Sequence, residues 1–298
     1  MLVVSAFFIG RDGIRAGWRI AIFLLIAFFE AALLFGVISV AGGVFPAFRA
    51  FLRGGALFTP EKTIFGESMF IAIALAAAWV MSRIEHRPMG AYGLPAHGAF
   101  GGRFWEGSAW GFLAIAAVMG AIAASGDLQI GLAATGTTAV AGLLLWALAF
   151  IGVGLAEEFV FRGYLLFTLA RGIRFWPAAA ILGVIFVLEH AFNPGETPVG
   201  LVGIVFSALM FSFALWRTGS LWFGVGFHFA WDWGQTAFFG TPDSGMRASD
   251  NLFASSFHGA VLTSGGTVGP EGSIYTPIAL LVVLVLIFVR FRRPAPAA

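Results

Sequence analysis

Long apolar runs dominate this chain, and their length carries the first inference. A helix needs about 20 mostly apolar residues to cross about 30 Å of hydrocarbon. Eight stretches qualify, at about 19–41, 66–83, 105–125, 138–158, 176–192, 199–216, 220–240 and 274–290. Each is expected to be a helix, because an open strand cannot satisfy its backbone polar groups in lipid. The expected fold is an all-α membrane protein, a bundle of about eight transmembrane helices with a polar intramembrane cavity. No repeat of about 20 to 50 residues recurs, and no polar linker divides the chain. Residues 1–298 are therefore expected to form a single membrane domain.

The segments between the runs add detail. In 42–65, Phe45, Phe48, Phe51 and Leu52 interleave with Arg49 and Arg53, which predicts a short helix lying in the interface. The stretch 241–273 is rich in Gly, Ser and Thr and predicts a flexible loop over the mouth of a cavity. Arg87 to Pro95 reads as a Gly- and Pro-punctuated turn. Met1 to Gly10 is apolar but lacks a leading positive region and a small-residue cleavage site, so it is expected to lie on the membrane surface rather than to be a cleaved signal.

Composition agrees with the apolar runs. Of 298 residues, 59% are hydrophobic and 11% charged, against about 45–50% and about 25% in soluble domains. Cysteine is absent, which removes disulfides, thiolate metal ligands and a thiol nucleophile. The 17 Lys and Arg residues are scattered singly rather than gathered in a basic patch, so no nucleic-acid partner is expected. Their distribution gives an orientation instead.

With eight spans, thirteen basic residues fall on the side of the N-terminus: Arg11, Arg15, Arg19, Arg83, Arg87, Arg103, Arg162, Arg171, Arg174, Arg217, Arg290, Arg292 and Arg293. The opposite side holds four, Arg49, Arg53, Lys62 and Arg247. Basic residues concentrate on the cytoplasmic face, so both termini are expected in the cytoplasm. The preference for Arg over Lys and the wealth of Ala and Gly suggest a GC-rich bacterial genome, hence a bacterial inner membrane.

An ionisable side chain at membrane depth costs about 2.5 kcal/mol or more, which makes each one a functional candidate. Glu67 and Glu106 fall at span starts, where they can reach the interface or serve a helix N-terminus. Glu30, alone in mid-span, is expected to turn inward and pack. The rest cluster. Glu158 and Arg162 are four residues apart and share a helix face, while Glu157 points about 100° away. One carboxylate is thus paired and the other free, as a general base for water requires. The fifth span supplies Glu189 and His190, on different faces. His228 and Asp232, again four apart, let a carboxylate accept from an imidazole N–H and fix its tautomer.

In order, E-E-x-x-x-R from Glu157 to Arg162, F-x-x-x-H from Phe186 to His190 and H-x-x-x-D from His228 to Asp232 form a three-part pattern. The chain resembles the CPBP family of intramembrane proteases, which includes the type II CAAX prenyl endopeptidases and bacterial bacteriocin-processing or self-immunity proteins. The resemblance covers about residues 150–240. It implies an intramembrane endopeptidase acting on a membrane-embedded or prenylated peptide or protein. Glu157 and His190 would activate a water, His228 and the residue four positions on would stabilise the oxyanion, and Arg162 would hold the glutamates. Many members carry Asn at the end of the third motif. This chain carries Asp232, and an ionised carboxylate cannot donate to an oxyanion, so Asp232 is expected to orient His228. Glu157, His190 and His228 also form a candidate zinc set with an open position.

Two other classes remain at this stage. Glu and His chains in spans serve proton-coupled transporters, but these carry paired repeats with broken helices, and no such symmetry is evident. A catalytically silent scaffold or immunity protein would keep the fold and bind a peptide; every motif position being filled argues against that decay.

Overall fold

The computed structural model describes residues 7–10, 13–55 and 58–291. The segment Met1 to Gly10 falls mostly outside them, as do Arg11, Arg292 and Arg293 of the charge count.

Every apolar window forms a helix. The helices are α1 (Ala16–Val44), α2 (Pro46–Arg53), α3 (Pro60–Glu85), α4 (Gly102–Ala124), α5 (Gly136–Glu158), α6 (Leu165–Ile173), α7 (Phe175–His190), α8 (Pro198–Thr218), α9 (Trp222–Trp233) and α10 (Tyr275–Arg290). Starts and stops follow local chemistry. Thr197 caps α8 by accepting from the Gly200 N–H at 3.0 Å, Pro198 takes the first position, and Gly219 ends the helix at φ 69°. Among the described residues, α1, α3, α4, α8 and the run Gly136–Ile173 are long and apolar enough to cross a membrane. The helices α7 and α10 are apolar and 16 residues each, and α9 has 12. The chain is an all-α integral membrane protein.

Two of the expected spans have different ends. The fourth does not stop at 158: it passes through a wide turn, Phe159–Tyr164, into α6. Arg162, counted above as a cytoplasmic loop charge, is 2% exposed and paired inside the protein. The turn bends at Gly163, whose φ −87° and ψ −116° are not helical, and a Cβ there would sit 2.8 Å from the Phe159 ring. The seventh span likewise opens from α9 into a wide turn, Gly234–Phe238. Such turns shift the register of a helix and recur at functional sites.

The long connections are more structured than their composition suggests. α2 is the expected short helix, but Arg49 folds back, its Nε and Nη2 donating to the carbonyls of Gly42 and Gly43 at 2.7 Å, and so closes the C-terminal end of α1. The stretch 241–273, expected to be a flexible loop, contains β2 (Phe253–Phe257), which pairs antiparallel with β1 (Leu128–Leu132), Ile130 opposite Ser255. The Trp146 indole donates to the Ser249 carbonyl at 3.0 Å, tying the stretch to α5 as well. The expectation that it covers a cavity holds, since Asp243, Ser244, Met246 and Glu271 line one.

α9 lies at the centre of the bundle. Its side chains join two apolar cores, one with α1, α3 and α7 and one with α4, α8 and α10. A helix buried on all sides need not reach both membrane faces, which explains why 12 residues suffice here. Glycines bring α4 against it: a Cβ at Gly107 or Gly111 would overlap the carbonyl oxygens of Phe223 or Phe227, and one at Gly226 that of Phe104. Small residues at such crossings let backbones approach closely in membranes.

Gly111→Leu should therefore lower the stability of the detergent-solubilised protein by at least about 1–3 kcal/mol, the usual range for overpacking. Gly120→Leu, on the same helix with open space around it, should leave the thermal transition unchanged. Equal melting of the two variants would show that the α4–α9 contact is loose.

Candidate functional site

The site assembles from four helices. Glu157 and Glu158 close α5, Arg162 follows in the wide turn, His190 ends α7, Phe211 lies on α8, and His228 and Asp232 lie on α9. Glu158 is fully buried, and its Oε1 accepts from Arg162 Nη1 at 3.1 Å and from His228 Nδ1 at 3.2 Å. Gly224 makes room for this carboxylate, a Cβ there falling 3.3 Å from Glu158 Oε2. The guanidinium lies 4.3 Å from the Phe186 ring and 5.2 Å from that of Phe211, so aromatic faces support a cation that water cannot reach.

The same two phenylalanines hold the histidines. Phe186 packs against the His190 ring at 4.3 Å, and His190 Nδ1 lies 2.8 Å from the Phe186 carbonyl. A carbonyl only accepts, so Nδ1 carries the proton and Nε2 of the neutral ring keeps its lone pair. Phe211 stacks on His228 at 5.1 Å and 29°. His228 Nε2 then lies 3.8 Å from Glu157 Oε2 and 3.5 Å from Asp232 Oδ2. Sequence spacing assigned the orienting of His228 to Asp232; in the structure the hydrogen bond that fixes the ring comes from Glu158 at Nδ1, with Asp232 beside the opposite nitrogen.

Glu157, His190, His228 and Asp232 face one cavity of about 370 Å³. Two bland expectations part here. Glu106 does pair at the surface, with Arg103 and Arg290, and Glu30 lies away from the cavity. Glu67, read as a helix-start charge, lines the cavity instead and packs its Cβ near Gly152 of α5. Glu196, Asp243 and Glu271 join the lining from the loops, and Lys62 is the lysine among them. Spacing gave no signal for these residues or for Phe211, because each reaches the site from a separate part of the chain.

The candidate zinc set fares less well. Among the described residues, the group of three acidic or histidine ligands whose atoms all lie within 4.8 Å of one another is Asp232, Asp243 and Glu271. Glu157, His190 and His228 do not converge in this way, and both nitrogens of His228 already face carboxylates. As arranged, these three do not fit one zinc ion.

Residues 138–234 match the family model described as type II CAAX prenyl endopeptidase Rce1-like. Over this segment, about a third of the chain, the sequence is similar to that family. The match takes in all three motifs, from Glu157 to Asp232, and stops short of Asp243 and Glu271. No curated protein and no solved structure matches the chain. The match supports an intramembrane CAAX protease fold.

Asp243 gives the site a pH signature. Burial first, and then the neighbouring Glu271 carboxylate, push its acid up to about 8, against the opposing donation from Thr236 Oγ1 at 2.9 Å. Asp232, Glu157 and His228 face the same space. The folded protein thus holds a proton that the unfolded chain releases near pH 4. That stabilisation is full below the unfolded value and is lost as pH rises through about 8. In chelator-treated protein, this group should lower the melting temperature from about pH 4 to about pH 8 and add no further slope above that, and Asp243→Asn should flatten the fall. Parallel profiles for the two proteins would refute it.

Proposed function

We propose that the protein is a glutamate-type intramembrane endopeptidase that hydrolyses a peptide bond of a membrane-embedded or prenylated protein or peptide. The observation that carries this reading is the setting of His228. Glu158 holds one of its ring nitrogens, while the other faces Glu157, Asp232 and the cavity that His190 also lines.

Glu157 takes a proton from a water in the cavity, helped by the lone pair on His190 Nε2. The resulting hydroxide attacks the scissile carbonyl carbon. His228, flanked by Glu158 at Nδ1 and by Glu157 and Asp232 at Nε2, acts as the doubly protonated imidazolium, and its Nε2–H, aimed into the cavity, donates to the oxyanion as charge develops on it. Collapse of the tetrahedral intermediate breaks the C–N bond, and the proton held by Glu157 passes to the leaving amine. Water is added across the bond and no other reactant is consumed. Arg162 and Glu158 act through His228: the ion pair fixes the carboxylate that fixes the ring.

The apolar helices around the cavity suit a substrate that arrives through the bilayer, and the family match supports a lipid-modified one. We place the protein in a bacterial inner membrane with both termini cytoplasmic, on the strength of the Arg distribution.

Purified protein should cleave members of a panel of prenylated and unmodified membrane peptides. Glu157→Ala and His190→Ala should lower kcat by about 10²–10⁴, the span of general acid–base contributions, and His228→Ala by about 10²–10³. Cleavage by all of these variants at the wild-type rate would sink the mechanism.

A further inference from the structure

The carboxylates of Asp232, Asp243 and Glu271 meet beside His228 in the same cavity. Their ligand oxygens all lie within 4.8 Å of one another, and Asp232 and Asp243 are 6% and 8% exposed. Like charges this close in a buried site disfavour joint ionisation. The expected remedy is a basic partner, yet among the described residues no Lys or Arg forms an ion pair with any of the three; their one cationic neighbour is His228, beside Asp232. Glu271 is approached by donors, the Gln235 amide at 3.2 Å, the Ser244 N–H at 3.0 Å and the Trp231 indole at 3.4 Å. Asp243 accepts from Thr236 Oγ1. These bonds position the acids without neutralising them.

A second observation points to what does neutralise them. Gln235 is fully buried, and its amide reaches the cluster, with Nε2 donating to Glu271 Oε1. The Oε1 of that amide is buried without a hydrogen-bond partner. Turning the amide over would not help, since it would set oxygen against the Glu271 oxygen. A buried amide oxygen with no donor beside three carboxylates wants a positive charge that brings no hydrogen-bond acceptor of its own.

We propose that Asp232, Asp243, Glu271 and the Gln235 Oε1 bind a hard divalent cation of the calcium class, at a site separate from Glu157 and His190. Oxygens on opposite sides of a calcium ion, each about 2.4 Å from it, are about 4.8 Å apart. An all-oxygen set with three carboxylates selects Ca²⁺ or Mg²⁺ over zinc, which favours nitrogen and sulfur. Asp232 and Gln235 belong to α9 and the turn after it, whereas Asp243 and Glu271 belong to the cover 241–273. The ion therefore pins the cover to the central helix beside the histidine, and draws the Asp232 carboxylate toward itself and away from His228 Nε2.

Trp231 supplies the test, because its indole lies next to Glu271 and can sensitise a bound lanthanide. Full-length protein in detergent, freed of metal by chelator, should show saturable Tb³⁺ luminescence on tryptophan excitation, displaced by Ca²⁺. Asp243→Asn and Glu271→Gln should weaken Tb³⁺ binding at least tenfold, while Glu61→Gln, an exposed acid at the start of α3, should not. Trp231→Phe should lose the luminescence yet keep a Ca²⁺-induced rise in melting temperature, a readout that needs neither activity nor the acidic variants to fold. Any of three results would overturn the proposal: no thermal shift with Ca²⁺ or Mg²⁺ in the wild type, Tb³⁺ binding unchanged in both acidic variants, or displacement by an arginine amide but not by Ca²⁺. The last would place a substrate's basic side chain at these acids instead.

Discussion

The buried ion pair of Glu158 and Arg162 is the interaction on which the rest of the site depends. Neither side chain can reach water, so each must find its partners in the protein. A buried pair with one member removed leaves a charge whose burial costs about 3–5 kcal/mol. That penalty is the constraint that fixes the neighbours. Arg162 can stay only where Phe186 and Phe211 offer ring faces, which sets α7 and α8 against the turn. Glu158 has one oxygen shared between Arg162 and His228, which sets α9 against α5. Four helices are brought to one point by a single i, i+4 pair.

The wide turn at 159–164 follows from the same requirement. The turn and the bend at Gly163 keep Arg162 inside, over the phenylalanines. With both oxygens of Glu158 buried and engaged or enclosed by Gly224, the neighbouring Glu157 is left as the carboxylate facing the cavity. The division of labour between two adjacent glutamates is thus a matter of helix geometry before it is a matter of chemistry.

This division was legible in the sequence, because residues one and four apart on a helix have a fixed angular relation. The spans were legible for a similar reason, since bilayer thickness sets their length. What could not be read were contacts between separate elements. Phe211 looks like any other residue in an apolar run, and nothing local marks it as the ring that stacks on His228. Glu67 sits at a span start, where charge is ordinary, and only the packing of α3 on α5 turns it inward. Asp243 and Glu271 lie in a Gly-rich stretch whose composition hides the pairing of β1 with β2 that holds it in place. Both wide turns escaped notice too, since an apolar run does not report the hydrogen-bond register inside it.

Asp232 joins the two halves of the site. By spacing it is the partner of His228, and a carboxylate next to a nitrogen meant to donate to an oxyanion is a liability, because it competes for the same proton. The structure gives that carboxylate a second set of neighbours, Asp243 and Glu271, both outside the segment that matches the family. Three acids converging on one point repel unless a proton or a cation lies among them. Either occupant weakens the hold of Asp232 on His228 Nε2 and leaves that N–H to the cavity. The acid at 232 and the acids of the cover are therefore best understood together: with the cover in place, the charge at this position need not oppose the donor beside it.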